Sequence, residues 1–337
     1  MQLTLHTDLS DIPANDWNRL ASAGTSDTPF ARHEYLSQWW RTLGGGEWAA
    51  AEMVLISAKD GDRQVGYAPL FRAMHEGREK LLFIGSIEIS DYLDLLVPQA
   101  DVLRFAGHLL EFLEATPGLR GLPLDLFNIA DTSPTLPALR ESAEGRSWTY
   151  RQEVFRPTPR IQLSVDFESY LGGLDKKQRH EIRRKLRRAS EGPVPARFEL
   201  LEDPTRLDQS IEAFLDLMAH DVEKAKFLTP AMREHMRSLL QVAWEGGYLW
   251  MAFLTVNAVK AAGAVNFDYA NKLWGYNSAV NRDFLELSPG WVLLAHQLRW
   301  ACENGRAEFD FMRGDEEYKY RFGAKNAHVM RAVVVPR

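Results

Sequence analysis

A single cysteine, Cys302, is all the chain contains, so no intrachain disulfide can form and paired-thiol redox chemistry is excluded. Cys302 falls within an amphipathic helical segment and reads as a buried structural thiol rather than a nucleophile. No run approaches the ~18 apolar residues that a membrane-spanning helix requires. The opening MQLTLHTDLSDIP lacks the basic and apolar regions of a signal peptide, so the protein is expected in the cytoplasm. The sequence also holds no G-x-x-x-x-G-K-[ST], G-x-S-x-G or H-E-x-x-H, and no G-x-G-x-x-G following a strand. Those absences remove the usual warrant for nucleotide hydrolysis, serine-hydrolase, zinc and dinucleotide redox chemistry, and no metal is expected. Charge has no strong bias: the net value is −6, which argues against nonspecific polyanion binding by the whole surface.

What the chain does have is ordinary for a folded soluble protein, with 45% hydrophobic and 26% charged residues. Its 337 residues suggest two domains. One order of predicted elements occurs twice. In the first half QLTLHT reads as a strand, Trp17 to Leu20 and His33 to Leu43 as helices, and residues 51–73 as a hairpin turning at Asp60-Gly61. LLFIG and YLDLLV follow as short strands, then a helix over Val102 to Ala115, the buried strand PLDLFNI, a helix over Thr135 to Ser142 and the strand WTYRQEVF. The second half repeats the order as ARFELL, helices at Leu207–His220 and Pro230–Trp244, and three strands YLWMAFLTV, KAAGAVNFDY and KLWGYNSA. A helix over Pro289–Glu303, the strand AEFDFM, a short helix near Glu316–Phe322 and the strand HVMRAVVV complete it. The fold class is α/β (α+β): two domains, each a mixed, mostly antiparallel sheet flanked by helices. The boundary is expected near Val165, giving domains 1–165 and 166–337.

At the junction, residues 175–190 form a basic helix with eight Lys or Arg residues between Lys176 and Arg188. Ile182 and Leu186 supply a narrow apolar stripe at i, i+4 spacing. Such a helix reads as a solvated face on the body, and its charge also suits phosphates, an acidic lipid surface or tRNA.

A second concentration of functional groups is Asp310, Arg313, Gly314, Asp315, Glu316, Tyr318, Lys319 and Arg321. Asp310 alternates with Phe309 and Phe311 in a strand fit for burial, and a buried carboxylate needs a partner, which Arg313 or Lys319 could supply. The segment containing this cluster, LSPGWVLLAHQLRWACENGRAEFDFMRGDEEYKYRFGA, resembles the C-terminal signature of the FemAB-like branch of GNAT acyltransferases, also seen in CelD-like proteins of polysaccharide biosynthesis. SDYLDLLV, Ser90 to Val97, is compatible with the same branch. The resemblance implies a tandem of GNAT-like domains, the first degenerate and the second an acyltransferase acting on an amine of a small-molecule, sugar or envelope-precursor acceptor. It implies acyl-CoA, in the first instance acetyl-CoA, as co-substrate, held where KLWGYNSA and AEFDFM splay apart.

On that basis Asn277, Ser278, Ser288 and Gly290 are expected to bind the cofactor, with Ser288 as N-cap and Pro289 as first helical residue. Asp310 is the candidate base and Tyr276 the candidate acid or substrate contact. Asp91, Tyr92, Asp268, Arg313, Asp315, Tyr318 and Lys319 are candidate substrate-binding residues. The glycine-rich Q/R-x-x-G-x-G/A loop of acetyl-CoA enzymes is absent, and Asp283 and Glu286 stand in that stretch. Two alternatives therefore stay open: an aminoacyl-tRNA-dependent transferase of the FemAB kind, and a noncatalytic binding protein with the same fold.

Overall fold

The computed structural model describes all 337 residues. The chain divides into two compact units, Met1–Pro157 together with His328–Arg337, and Thr158–Ala327.

The first unit begins with β1 (Gln2–His6), α1 (Ala14–Ser22) and α2 (His33–Gly46). Then come β2 (Glu52–Asp60), β3 (Arg63–His75), β4 (Arg78–Phe83), α3 (Val102–Ala115), β5 (Leu124–Ala130), α4 (Thr135–Glu144) and β6 (Trp148–Pro157). Its seven-stranded sheet runs β1-β2-β3-β4-β5-β13-β6, where β13 is the last strand of the chain, His328–Pro336. β4 and β5 are parallel but share one register pair, Leu81–Leu124, before separating. Segment Ser86–Leu93 of the same unit fills the gap. The amide of Asn128, a residue with φ +64°, donates to the Ile87 and Ser90 carbonyls at 2.9 and 2.8 Å, and its own carbonyl accepts Leu93 N–H at 2.9 Å.

The second unit contains β7 (Arg160–Gln162), α5 (Phe167–Gly173), α6 (Lys176–Glu191), β8 (Ala196–Leu200), α7 (Leu207–Met218), α8 (Val222–Phe227) and α9 (Pro230–Glu245). It continues with β9 (Leu249–Val256), β10 (Val259–Tyr269), β11 (Lys272–Val280), α10 (Pro289–Glu303), β12 (Glu308–Asp310) and α11 (Glu317–Arg321). The sheet order is β7-β12-β11-β10-β9-β8. Helix starts follow side-chain chemistry: Asp166 accepts Ser169 N–H at 2.7 Å, Asp175 accepts Gln178 N–H at 3.0 Å and Thr229 accepts Met232 N–H at 3.2 Å. The β9–β10 turn uses Asn257 and Ala258, both at positive φ, as a two-residue hairpin demands. α10 buries Val292, Leu293, Ala295 and Leu298 in the core that includes Trp250, Ala252, Leu254 and Leu273 of the sheet and Ile182 and Ala189 of α6.

Three expectations change. Residues 158–165 go with the second unit, because β7 pairs antiparallel with β12 through Ile161–Phe309 and its neighbours. HVMRAVVV leaves the second unit for the first, where it pairs with β5 on one side and β6 on the other. YLDLLV is no ladder strand, since only Leu96 bridges to Tyr67; Tyr92 and Leu93 belong to the plug just described.

Candidate functional site

β11 and β12 run parallel for three register pairs, ending at Trp274–Asp310. Beyond that pair they part, and a cleft of about 390 Å³ opens between them. The local cause lies in β11. Between the pairs Val265–Asn277 and Phe267–Trp274, two residues of β11, Gly275 and Tyr276, oppose one residue of β10, Asn266. This bulge bends β11. Glycine suits the crowded position, since a Cβ on Gly275 would stand 3.3 Å from both the Asp310 carbonyl oxygen and the Phe309 ring.

After the bulge, Asn281 donates to Ala261 across the β10–β11 ladder. Alternation then turns the backbone N–H and C=O of Ser278 and Val280 toward the open side. At the cleft's other end α10 begins. Pro289 has no N–H, and the amides of Gly290 and Trp291 carry no backbone partner, as expected for a first helical turn. The Lys185 ammonium lies 4.2 Å from the centroid of the Trp291 ring. Cation and helix N-terminus together favour an anion at this mouth. Asp283 and Glu286 are exposed and do not line the cleft.

Of the residues expected from the sequence, Tyr276, Asn277, Ser278, Gly290, Arg313, Tyr318 and Lys319 line the cleft together. Tyr276 directs its hydroxyl at Met236 Sδ, 3.9 Å away, and its ring packs on Phe267. Ser288 occupies the N-cap position of α10 but in the left-handed conformation at φ +52°, and its side chain makes no capping bond.

Asp310 does not line the cleft. It is fully buried, with Oδ2 at 3.1 Å from Arg160 Nε and Oδ1 accepting Met312 N–H at 2.8 Å. The arginine of the neighbouring β7 is thus one ion-pair partner of Asp310, and the arrangement supports the loop after β12 rather than a base facing substrate. Lys319 is likewise committed: its ammonium donates to the carbonyls of Phe311, Arg313 and Gly314 at 3.0–3.2 Å and pairs with Glu316 at 2.9 Å. These bonds shape the rim from which Arg313, Glu316 and Tyr318 face the cleft, so Lys319 positions that rim.

Asp268 is held in a two-pronged pair by Arg306 at 2.5 and 2.6 Å, and Asp315 is exposed; neither lines the cleft. Asp91 and Tyr92 lie in the plug of the first unit, where Tyr92 is buried against Phe30.

Two lining residues escape a reading of the sequence. Lys224, on α8, donates to Asn277 Oδ1 at 2.9 Å and to the Ser278 carbonyl, and burial lowers its pKa. In sequence it is one charged residue of a short polar helix. Glu316 is the sole carboxylate lining the cleft. It belonged to the recognised cluster, but nothing in the letters separates it from Asp315 or Glu317.

Desolvation at the rim pushes the Tyr318 phenol up to about 12 although the side chain is 40% exposed, and at either this or its ordinary value it keeps its proton throughout the physiological range. His235 and His296 in the same unit are held down to about 4 by burial. A histidine whose folded pKa is depressed stabilises the fold above the unfolded value of 6.5, and that stability is lost as pH falls from 6.5 toward 4. Each is worth about 3 kcal/mol over that window. In denaturant titrations, His235→Gln is expected to shrink the stability difference of the second unit between pH 7.5 and pH 4.5 by roughly this amount; an unchanged difference would show that His235 titrates normally.

In the first unit, His75, Glu76 and Asp125 are spaced as metal ligands could be, but Lys80 and Arg331 hold the Glu76 and Asp125 oxygens where an ion would sit. No helix is long and apolar enough to cross a membrane.

Residues 176–320 match the family model of the acetyltransferase (GNAT) domain. No curated protein matches the chain in sequence. Among solved structures, FemX superposes with a TM-score of 0.70 at 10% identity, covering 98% of this chain and 97% of that one. L-PGS from Bacillus licheniformis gives 0.58 at 11% identity, covering 96% and 91%. A tandem GNAT protein from the clavulanic acid biosynthesis pathway gives 0.52 at 13% identity, covering 98% and 97%. At such identities the likeness establishes the fold.

Proposed function

We propose that this chain, which has the tandem GNAT fold and a GNAT domain at residues 176–320, transfers an acyl group from acyl-CoA to the amine of a small-molecule, sugar or envelope-precursor acceptor. One observation carries the reading: an open strand edge on β11 ends beside unpaired amides at the start of α10. An amide-bearing arm can pair with the Ser278 N–H and the Val280 backbone as an added strand, the Ser278 carbonyl being shared with Lys224, while its pyrophosphate meets the Gly290 and Trp291 amides and Lys185. The bulge at Gly275–Tyr276 then faces the thioester, and a backbone N–H freed from the ladder there can stabilise the oxyanion.

Direct attack needs an unprotonated amine. Glu316, the sole lining carboxylate, is the group able to accept that proton, and Arg313 beside it suits an anionic part of the acceptor. Tyr276 remains a candidate contact on the opposite wall. Tyr318 is a hydrogen-bond donor for the departing sulfur. Its pKa of about 12 stands well above the ~8.5 of an ordinary thiol, so it shares its proton with the thiolate more readily than it surrenders it. The first unit, its own strand opening filled by Ser86–Leu93, takes no donor in this scheme.

Calorimetry with CoA tests the donor, and Glu316→Gln tests the chemistry. Saturable CoA binding is expected for both proteins, with turnover about 100-fold lower in the variant. Undiminished turnover would remove Glu316 as base. A second reading, an aminoacyl-tRNA donor, draws support from α6, where Lys176, Lys177, Arg187 and Arg188 are exposed and unpaired. It would replace the first if CoA fails to bind while tRNA binds in a salt-dependent way that Arg187→Glu weakens. Failure of both ligands would leave a noncatalytic binding protein.

A further inference from the structure

The inner end of the cleft carries an unusual polar pair. Asn266 on β10 is 1% exposed and Gln297 on α10 is 5% exposed, yet both line the cleft. Asn266 Nδ2 donates to Gln297 Oε1 at 2.9 Å. That bond is the only side-chain hydrogen bond either residue makes, so both N–H groups of Gln297 Nε2 and the Asn266 carbonyl oxygen are left to the cavity. Around them the wall is apolar, from Leu293 and Leu294 of α10, Phe309 of β12 and Phe311 just after it. Buried amides are normally satisfied within a fold, and hydrogen-bonding groups held open inside an apolar cleft are the mark of a ligand partner.

The pair's position identifies which part of a ligand it would meet. Asn266 opposes the bulge Gly275–Tyr276, next to the last β11–β12 register pair, and so stands where the cleft closes. Gln297 lies seven residues into α10 from Gly290, about 10 Å along the axis from the anion-favouring mouth. A thioester entering along the β11 edge therefore brings its acyl chain, not its phosphates, to Asn266 and Gln297. An acetyl group has no atom beyond its carbonyl to engage them. An unsubstituted longer chain would strand the amides against methylenes. A charged carboxylate would need a cation, and the two lysines of the cleft already spend their ammonium groups, Lys224 on Asn277 and the Ser278 carbonyl and Lys319 on the rim carbonyls and Glu316.

Building on the acyl-CoA reading above, we infer that the donor carries a short, uncharged acyl chain with its own hydrogen-bonding oxygen, a hydroxyacyl group, and that Asn266 and Gln297 select it. Gln297 Nε2 donates to that oxygen and Asn266 Oδ1 accepts from its hydroxyl.

Calorimetric titration with CoA, butyryl-CoA and 3-hydroxybutyryl-CoA tests this. Wild type is expected to bind 3-hydroxybutyryl-CoA at least about tenfold more tightly than butyryl-CoA. Gln297→Met should abolish the preference while leaving the affinity for CoA itself unchanged. Gln297→Glu, which keeps the acceptor for Asn266 Nδ2 but loses both free donors, provides a second route should the first variant fold poorly, and it should likewise lose the preference. Equal or stronger binding of butyryl-CoA by wild type, with CoA still bound, overturns the hydroxyacyl assignment and leaves the donor reading intact. Absence of binding by all three thiols and thioesters overturns both. A preference that survives in both variants removes Gln297 from its origin and overturns the assignment.

Discussion

Asp310→Ala is expected to cost the second unit about 3–5 kcal/mol, because it leaves the Arg160 guanidinium and the Met312 N–H without the carboxylate that both address. For a unit of this size, about 1 kcal/mol corresponds to roughly 2–4 °C, so its melting transition should fall by roughly 6–20 °C. Asp310→Asn should be milder, since an amide oxygen can still accept from Met312. The pair R160M/D310L should recover much of the loss, as apolar replacement of buried ion pairs often does. The same variants decide whether Asp310 has a chemical role. If it is structural, Asp310→Asn assayed well below its melting point keeps the shape of the rate–pH profile. A profile that loses a limb while the melting point holds would restore Asp310 as a base.

Removing residues 328–337 is expected to unfold the first unit while the second keeps its own transition. β13 lies between β5 and β6, with Val329, Ala332 and Val334 fully buried, and Arg331 bonded to Asp125 twice at 2.7 Å. At about 1.5–3 kcal/mol per large apolar side chain, plus the ladder on both sides, the loss is on the order of 5–10 kcal/mol. That equals the whole stability of a typical domain. Hydrogen exchange read peptide by peptide would show residues 1–157 exchanging fast and 158–327 protected. Protection throughout the first unit would mean that β5 and β6 close on each other without it.

These two cases also mark where the sequence was legible. α10 was readable to the residue because Pro289 and an apolar period fix a helix locally, and the succession β9-β10-β11-α10-β12-α11 followed from similarly local signals. The opening between KLWGYNSA and AEFDFM was likewise expected, and Gly275 is its visible trace. Pairings between distant segments were not readable. HVMRAVVV has the alternation of a strand, but its ladder partners lie about 170–210 residues earlier and leave no mark in its letters. For the same reason the sequence offers Asp310 only its neighbours Arg313 and Lys319 and gives no sign of Arg160, which β7 brings across. Lys224 was invisible because a lysine in a polar helix looks like solvent-facing charge until the cleft is assembled around it. Asn266 carries no signal of its own in the sequence, because its meeting with Gln297 depends on how α10 lies on the sheet.

The position of β13 has a consequence for synthesis. A ribosome delivers residues 1–157 first, yet their sheet lacks the strand between β5 and β6 until 170 further residues, Thr158–Ala327, have been made. The second unit can reach its native state while the first still waits with two unpaired strand edges. Completion therefore runs against the direction of translation, and the interval in which those edges are open to other chains is set by elongation rate rather than by the intrinsic folding speed of the first unit.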